Sequence, residues 1–144
     1  GYWRDPEKTA ASFFDDWFRT GDVGYLDEDG FLFLTDRRKD IIISGGENIA
    51  SSEVERVLYE LPQVVEAAVV GVPDEKWGER PVAVICLREG SELDLDTLMA
   101  HCRARLASFK VPKELILRDQ LPRNPSGKIL KRVLREELKT DPAS

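Results

Sequence analysis

Cysteine is scarce in this chain. Cys86 and Cys102 are the only two in 144 residues, too few for a disulfide framework and without metal-ligand spacing. No secretory segment is present either, so a reducing cytoplasmic compartment is expected. No apolar run approaches the ~20 residues needed to span a bilayer, so no transmembrane segment is expected. Internal repeats and low-complexity tracts are absent, as is a starting Met. The chain opens Gly1-Tyr2-Trp3, and a fragment of a longer protein is the expectation. What is present is ordinary for a folded domain: 42% hydrophobic and 33% charged residues, which excludes disorder on composition. This length suits one domain, or a small domain with a piece of its neighbour.

The net charge of −6 argues against a general nucleic-acid binder. It is unevenly spread. Residues 1–102 carry 10 Lys and Arg against 22 Asp and Glu, whereas residues 103–144 carry 11 against 5. A basic tail has two open readings, a solvated helix face or a surface that meets an anion such as phosphate.

Residues 1–40 read as β-rich. Trp17-Phe18-Arg19-Thr20 and Val23-Gly24-Tyr25-Leu26 are strand-like around Gly21-Asp22, and Asp27-Glu28-Asp29-Gly30 is a hairpin turn returning through Phe31-Leu32-Phe33-Leu34. Ile41-Ile42-Ile43 reads as a strand ended by Ser44-Gly45-Gly46. Beyond it an α+β unit is expected. Ser51-Ser52-Glu53 offers an N-cap to a helix with Val54, Val57, Leu58 and Leu61 on one face, stopped by Pro62. Val64–Val72 and Pro81–Leu87 are strands joined through residues 73–78. Asp94 or Asp96 caps a second helix carrying Leu98, Cys102 and Leu106. Glu114–Leu117 is a short strand. A last helix follows Gly127, striped by Ile129, Leu130, Val133, Leu134 and Leu138.

Three motifs carry chemistry. In Arg19-Thr20-Gly21-Asp22 a carboxylate just past a glycine turn can accept two hydrogen bonds from a vicinal diol such as ribose, or simply close the turn onto nearby amides. Asp36-Arg37-Arg38-Lys39-Asp40 places five charges between two strands and must lie at the surface. Arg37 offers a planar fork to phosphate or ribose oxygens, and Gly45-Gly46 lets backbone approach a ligand; a charged linker and a plain turn are the alternative. Pro122-Arg123-Asn124-Pro125-Ser126-Gly127-Lys128 is not a P-loop, since Pro122 and Ile129 stand where Gly and Ser/Thr belong. Lys128 is expected at the start of the final helix, where the macrodipole disfavours a cation. A phosphate beside the free helix N–H groups would account for it there.

In this order, RTGD, DRRKDIIISGGENI with SSEVERVL, and PRNPSGK before an amphipathic helix, the chain resembles the last core motifs of the adenylate-forming superfamily, along its whole length from Gly1 to Leu138. The resemblance implies a fatty-acid-CoA-ligase-like acyl-CoA synthetase, with residues 1–38 trailing from a large N-terminal domain. Residues 39–144 are then a mobile C-terminal domain hinged at Lys39. It implies that Asp22 binds the ATP ribose and that Arg37 contacts ribose or phosphate. Lys128 serves adenylation. Ser44, Gly45 and Gly46 come to the active site for the thioester step, Gly46 lining the pantetheine channel. Trp77, Phe109 and Lys110 fall where some members contact the nucleotide end of coenzyme A; the two aromatics could equally be core residues. Ile43 stands where luciferase-like and coumarate-ligase-like members have lysine, a departure that points away from those branches.

The implied reaction is carboxylic acid, ATP and coenzyme A to acyl-CoA, AMP and pyrophosphate through an acyl-adenylate. The Mg²⁺ ligand, the phosphate loop and the acyl pocket are expected in the chain's own N-terminal domain, so the fragment alone is expected to be inactive. A carrier-protein-loading adenylation domain, a fatty acyl-AMP ligase and a non-enzymatic binding module are the alternatives.

Overall fold

The computed structural model describes residues 1–140. The chain divides into two compact units, Gly1–Lys39 and the remainder from Asp40 onward. The first holds a short helix, α1 (Pro6–Ala11), and two small antiparallel hairpins, β1 (Phe13–Phe14) with β2 (Trp17–Phe18), and β3 (Asp22–Leu26) with β4 (Leu32–Arg37). Proline at the first helical position and Asp5, whose carboxylate accepts from Lys8 N at 2.9 Å, start α1. Residues 1–40 are expected to be β-rich, but local capping makes these six residues helical. In the β3–β4 turn, Asp27 accepts from Asp29 N at 3.1 Å and from Phe31 N at 2.8 Å. No residue of this unit is buried, and Trp17, Tyr25, Phe31, Leu32 and Leu34 are all exposed.

The second unit is built on one long hairpin, β7 (Val64–Asp74) and β8 (Gly78–Leu87). Both of its faces are covered, which is why its strands read as near-continuous apolar runs rather than alternating ones. Ala67, Val69, Ala83 and Ile85 pack with Val54, Leu58, Leu98 and Cys102 of α2 (Ser51–Leu58) and α3 (Leu95–Arg103). Ala68, Val70, Val82 and Val84 pack with Leu121 and with Leu134 of α4 (Lys131–Thr140). Along its other edge β8 takes β9 (Glu114–Leu117) in parallel at Val82–Ile85, and β5 (Ile42–Ser44) at Gly78. β6 (Glu47–Ile49) completes the five-stranded sheet. The expected α+β class is what the chain adopts.

Three helix termini differ from expectation. Ala50, not a serine, caps α2, with no side-chain hydrogen bond. Ser51 is the first helical residue and fully buried, and its Oγ accepts from Lys131 Nζ at 2.7 Å. α3 is capped by Asp94, which accepts from Thr97 N at 2.7 Å, and it ends before Leu106. α4 begins at Lys131, so Ile129, Leu130 and Lys128 precede it. Residues 122–130 form their own closed loop, with Arg123 bridged to Ile129 and Leu130 N donating to Pro122 O at 2.8 Å. The helix cannot extend back through backbone already committed elsewhere.

Candidate functional site

In the first unit Asp22 and Arg37 are directly opposite across the β3–β4 ladder. Arg37 Nε lies 3.2 Å from Asp22 Oδ1. Gly21, at φ +76°, turns the chain into β3, and its carbonyl accepts from Arg38 N at 2.8 Å. Thr20, Gly21, Arg37, Arg38 and Lys39 line a cleft of about 480 Å³. The ladder thus brings together an acceptor-only carboxylate and a five-donor guanidinium that are separated by a whole hairpin in sequence. Such a pair complements a diol next to an anion. Lys39 is exposed, in a 3₁₀ turn over Arg38–Asp40, and Asp40 beyond it is held by Arg135.

In the second unit β5 and β6 are joined by the two-residue turn Gly45-Gly46, both at positive φ (+60° and +86°). This is the type I′ geometry that matches the strand twist and that glycine adopts without strain. The three residues expected to line a channel separate here. Ser44 is buried. A Cβ on Gly45 would stand 2.9 Å from Trp77 Cε3, whereas one on Gly46 would meet nothing within 4 Å. Gly46 alone of the three borders open space. Trp77, on the β7–β8 turn, supports Gly45 and accepts from its N–H at 2.8 Å. Glu79 adds a bond from Ile43 N at 2.8 Å. Phe109 is partly buried against the α2–α3 core, and Lys110 grips both Glu53 oxygens at 2.7 and 2.8 Å.

Lys128 sits in the closed loop, not at a helix start, so the macrodipole does not bear on it. Asn124 organises the loop: its Oδ1 accepts from Lys128 N and from Ser126 Oγ, both at 2.8 Å, and its backbone N–H donates to Lys128 O at 3.0 Å. Gly127, at φ +83°, makes the reversal. The Lys128 side chain is exposed.

The basic segment resolves mostly into ion pairs. Arg118 meets Glu137, Arg123 meets Glu66, Lys131 meets Glu55 at 2.7 Å, Arg132 meets Glu136 and Arg135 meets Asp40. Between Arg118 and Arg135, Lys128 is the one cation without a carboxylate among the described residues. Sequence reasoning passed over Arg123, Glu66, Lys131 and Glu55. Their partners lie 57 or more residues away, and no local spacing signals such pairs.

Burial raises the pKa of both thiols, Cys102 to about 11, and Glu66 adds to the effect at Cys86. Among the described residues no three or more His, Cys, Asp or Glu side chains are grouped to hold a metal ion. The described residues thus offer no metal site of their own, and the Mg²⁺ ligand that the resemblance implies is expected in the N-terminal domain. Also among them, no helix is long and apolar enough to cross a membrane.

The family model of the AMP-binding enzyme C-terminal domain matches residues 53–128. The chain is 48% identical over 136 residues to the long-chain-fatty-acid–CoA ligase FadD13 of Mycobacterium tuberculosis, covering 94% of this chain and 27% of that protein. It is 53% identical over 135 residues to the 2-succinylbenzoate–CoA ligase of Geobacillus kaustophilus, covering 94% and 28%. The o-succinylbenzoate CoA synthetase of Bacillus subtilis, solved with its acyl-adenylate intermediate, superposes with a TM-score of 0.87 at 46% identity, over 93% of this chain and 27% of that one. The chain thus spans little more than a quarter of the length of these relatives. With the family model covering more than half of its residues, the chain belongs to the AMP-binding enzyme family and carries that family's C-terminal domain.

Proposed function

We propose that this chain is the C-terminal part of an ATP-dependent acyl-CoA synthetase and supplies groups to both of its half-reactions. The observation that carries the proposal is Lys128, an exposed ammonium left unpaired among the described residues on a loop otherwise locked by hydrogen bonds, while every other cation from Arg118 to Arg135 is ion-paired. A free, positioned cation suits charge that develops only during reaction.

In the first half-reaction a carboxylate oxygen of the acid attacks the α-phosphorus of ATP, and the bond to pyrophosphate breaks. Asp22 accepts from the ribose hydroxyls, Arg37 donates to ribose or phosphate oxygens, and Lys128 Nζ stabilises the charge gathering on the phosphoryl oxygens. In the second, the coenzyme A thiolate attacks the acyl carbonyl and AMP departs, with Gly46 leaving room for pantetheine. The Lys128 loop is fastened near Glu66 and the Gly45-Gly46 turn near Trp77, at opposite ends of the β7–β8 hairpin. The eight residue steps along the strand from Glu66 to Asp74 span about 26 Å. Two elements so far apart on one packed hairpin cannot serve one reaction centre together. The unit therefore reorients between steps, pivoting at Lys39.

The substrate is a carboxylic acid, with a fatty acid the first to test. FadD13 supports a fatty acid, and the 2-succinylbenzoate ligases make an aryl-substituted acid the competing candidate. Pyrophosphate exchange by the full-length enzyme with palmitate, octanoate, benzoate and 2-succinylbenzoate decides the class. Lys128→Ala in that enzyme is expected to lose adenylation by about a hundredfold or more. Thioester formation from preformed acyl-adenylate should be retained. Equal loss in both half-reactions refutes the catalytic assignment.

A further inference from the structure

Lys128 can act on a phosphoryl group only if its loop is held at a fixed place on the unit, and two kinds of contact contribute differently. The bonds made by Asn124, the Arg123–Ile129 bridge and the Leu130–Pro122 bond all run within residues 122–130. They set the loop's shape. Its placement on the sheet depends on what crosses from the loop to β7, and there one guanidinium stands out. Arg123 donates through Nη1 to the carbonyl oxygen of Gly127, the residue before Lys128, and through Nη2 to Glu66 Oε1 of β7. We propose that Arg123 is a positioning residue for Lys128, its fork clamping the Gly127 carbonyl to the Glu66 carboxylate so that the lysine is presented at one fixed point. This rests on the adenylation role proposed for Lys128.

Magnitudes separate the clamp from a stabilising contact. The Arg123 and Glu66 side chains are 41% and 25% exposed, and ion pairs this accessible contribute little to stability. The fold at this point is secured by packing, since Leu121 is buried and Ile129 packs against the same core on the two flanks of the loop. Removing the guanidinium should therefore leave the unit folded and the loop displaced. Small displacements of a charged group are costly to catalysis even where they are cheap in folding. Charge alone does not suffice in this role, because a lysine supplies a single ammonium on a flexible stem and cannot hold two acceptors at the fixed angle of a planar fork.

The test uses the full-length enzyme, with pyrophosphate exchange on palmitate and 2-succinylbenzoate for adenylation and the corresponding preformed acyl-adenylates for the thioester step. Arg123→Ala and Glu66→Ala are each expected to lower the adenylation kcat by roughly tenfold to a hundredfold, with the KM for ATP little changed. The thioester step and Tm should be preserved. The double variant should be no worse than either single one. Arg123→Lys should fail to rescue, whereas Glu66→Gln, which keeps the acceptor, should stay near wild type. Full activity in Arg123→Lys, additive losses in the double variant, or equal loss in both half-reactions overturns the proposal. Lys128→Ala is measured alongside. If it abolishes adenylation while Arg123→Ala does not, the positioning role alone falls; if it leaves adenylation intact, the functional proposal falls and takes the positioning role with it.

Discussion

The two glycines of the β5–β6 turn offer a direct separation of structural from functional need. Gly46 has φ +86° and open space around the position of a Cβ, whereas a Cβ on Gly45 would press on the Trp77 ring at 2.9 Å. For Gly46→Ala the cost to the fold is conformational alone, about 1–2 kcal/mol for an L-residue held in the left-handed region. Gly45→Ala carries the same cost plus displacement of an aromatic ring, so it should be the more destabilising of the two. Asparagine tolerates the left-handed region better than alanine does. Gly46→Asn should therefore recover stability while still carrying a side chain into the open space. Thermal denaturation and the two half-reactions of the full-length enzyme read out all three variants. The expected pattern is that Gly46→Asn melts nearer to wild type than Gly46→Ala and forms adenylate normally, yet is impaired in making thioester. Gly46→Leu should be impaired more severely at the same step. A Gly46→Asn enzyme with an undiminished thioester step refutes the channel role and leaves the turn as architecture.

Other outcomes follow from particular contacts. Lys131 and Glu55 are about 15% exposed and 2.7 Å apart, and Glu55 Oε1 also accepts from Val69 N at 2.7 Å. Lys131→Met should cost about 3 kcal/mol by stranding a largely buried carboxylate, and adding Glu55→Gln should recover much of it, as denaturant titration can check. The Cys102 thiol, raised by burial from 9.0 to about 11, holds its proton in the folded state after the unfolded chain has lost it. Its contribution to stability is therefore complete below about pH 9 and lost as pH rises towards 11. Below that window neither cysteine should react with iodoacetamide until the protein is unfolded, which mass spectrometry of alkylated samples measures. The isolated 144-residue chain should neither exchange pyrophosphate nor bind ATP tightly, because Asp22, Arg37 and Lys128 are only part of the site proposed; isothermal titration and pyrophosphate exchange test it.

The sequence by itself determined what local chemistry controls. Valine-rich runs announced β7 and β8. The 3.6-residue spacing of Val54, Val57 and Leu58 announced α2, and glycine pairs and Asp–Gly steps marked the turns. The order of the three motifs was enough to place the chain in its family. Tertiary structure decided what depends on residues far apart in sequence. It turned Ser51 from an expected cap into a buried acceptor for Lys131, 80 positions away, because a hydroxyl shut off from water must find its hydrogen-bond partner inside the fold. It set Trp77 beneath Gly45, leaving Gly46 alone facing space. It moved the start of α4 past Lys128, since the Arg123–Ile129 bridge had already taken the backbone that a longer helix would need. And it paired Arg123, Lys131 and Arg135 of the basic tail with carboxylates from β7, α2 and the approach to β5. Periodicity reports which face of an element is apolar; which charge meets which is fixed only when the sheet brings distant elements within a few ångströms.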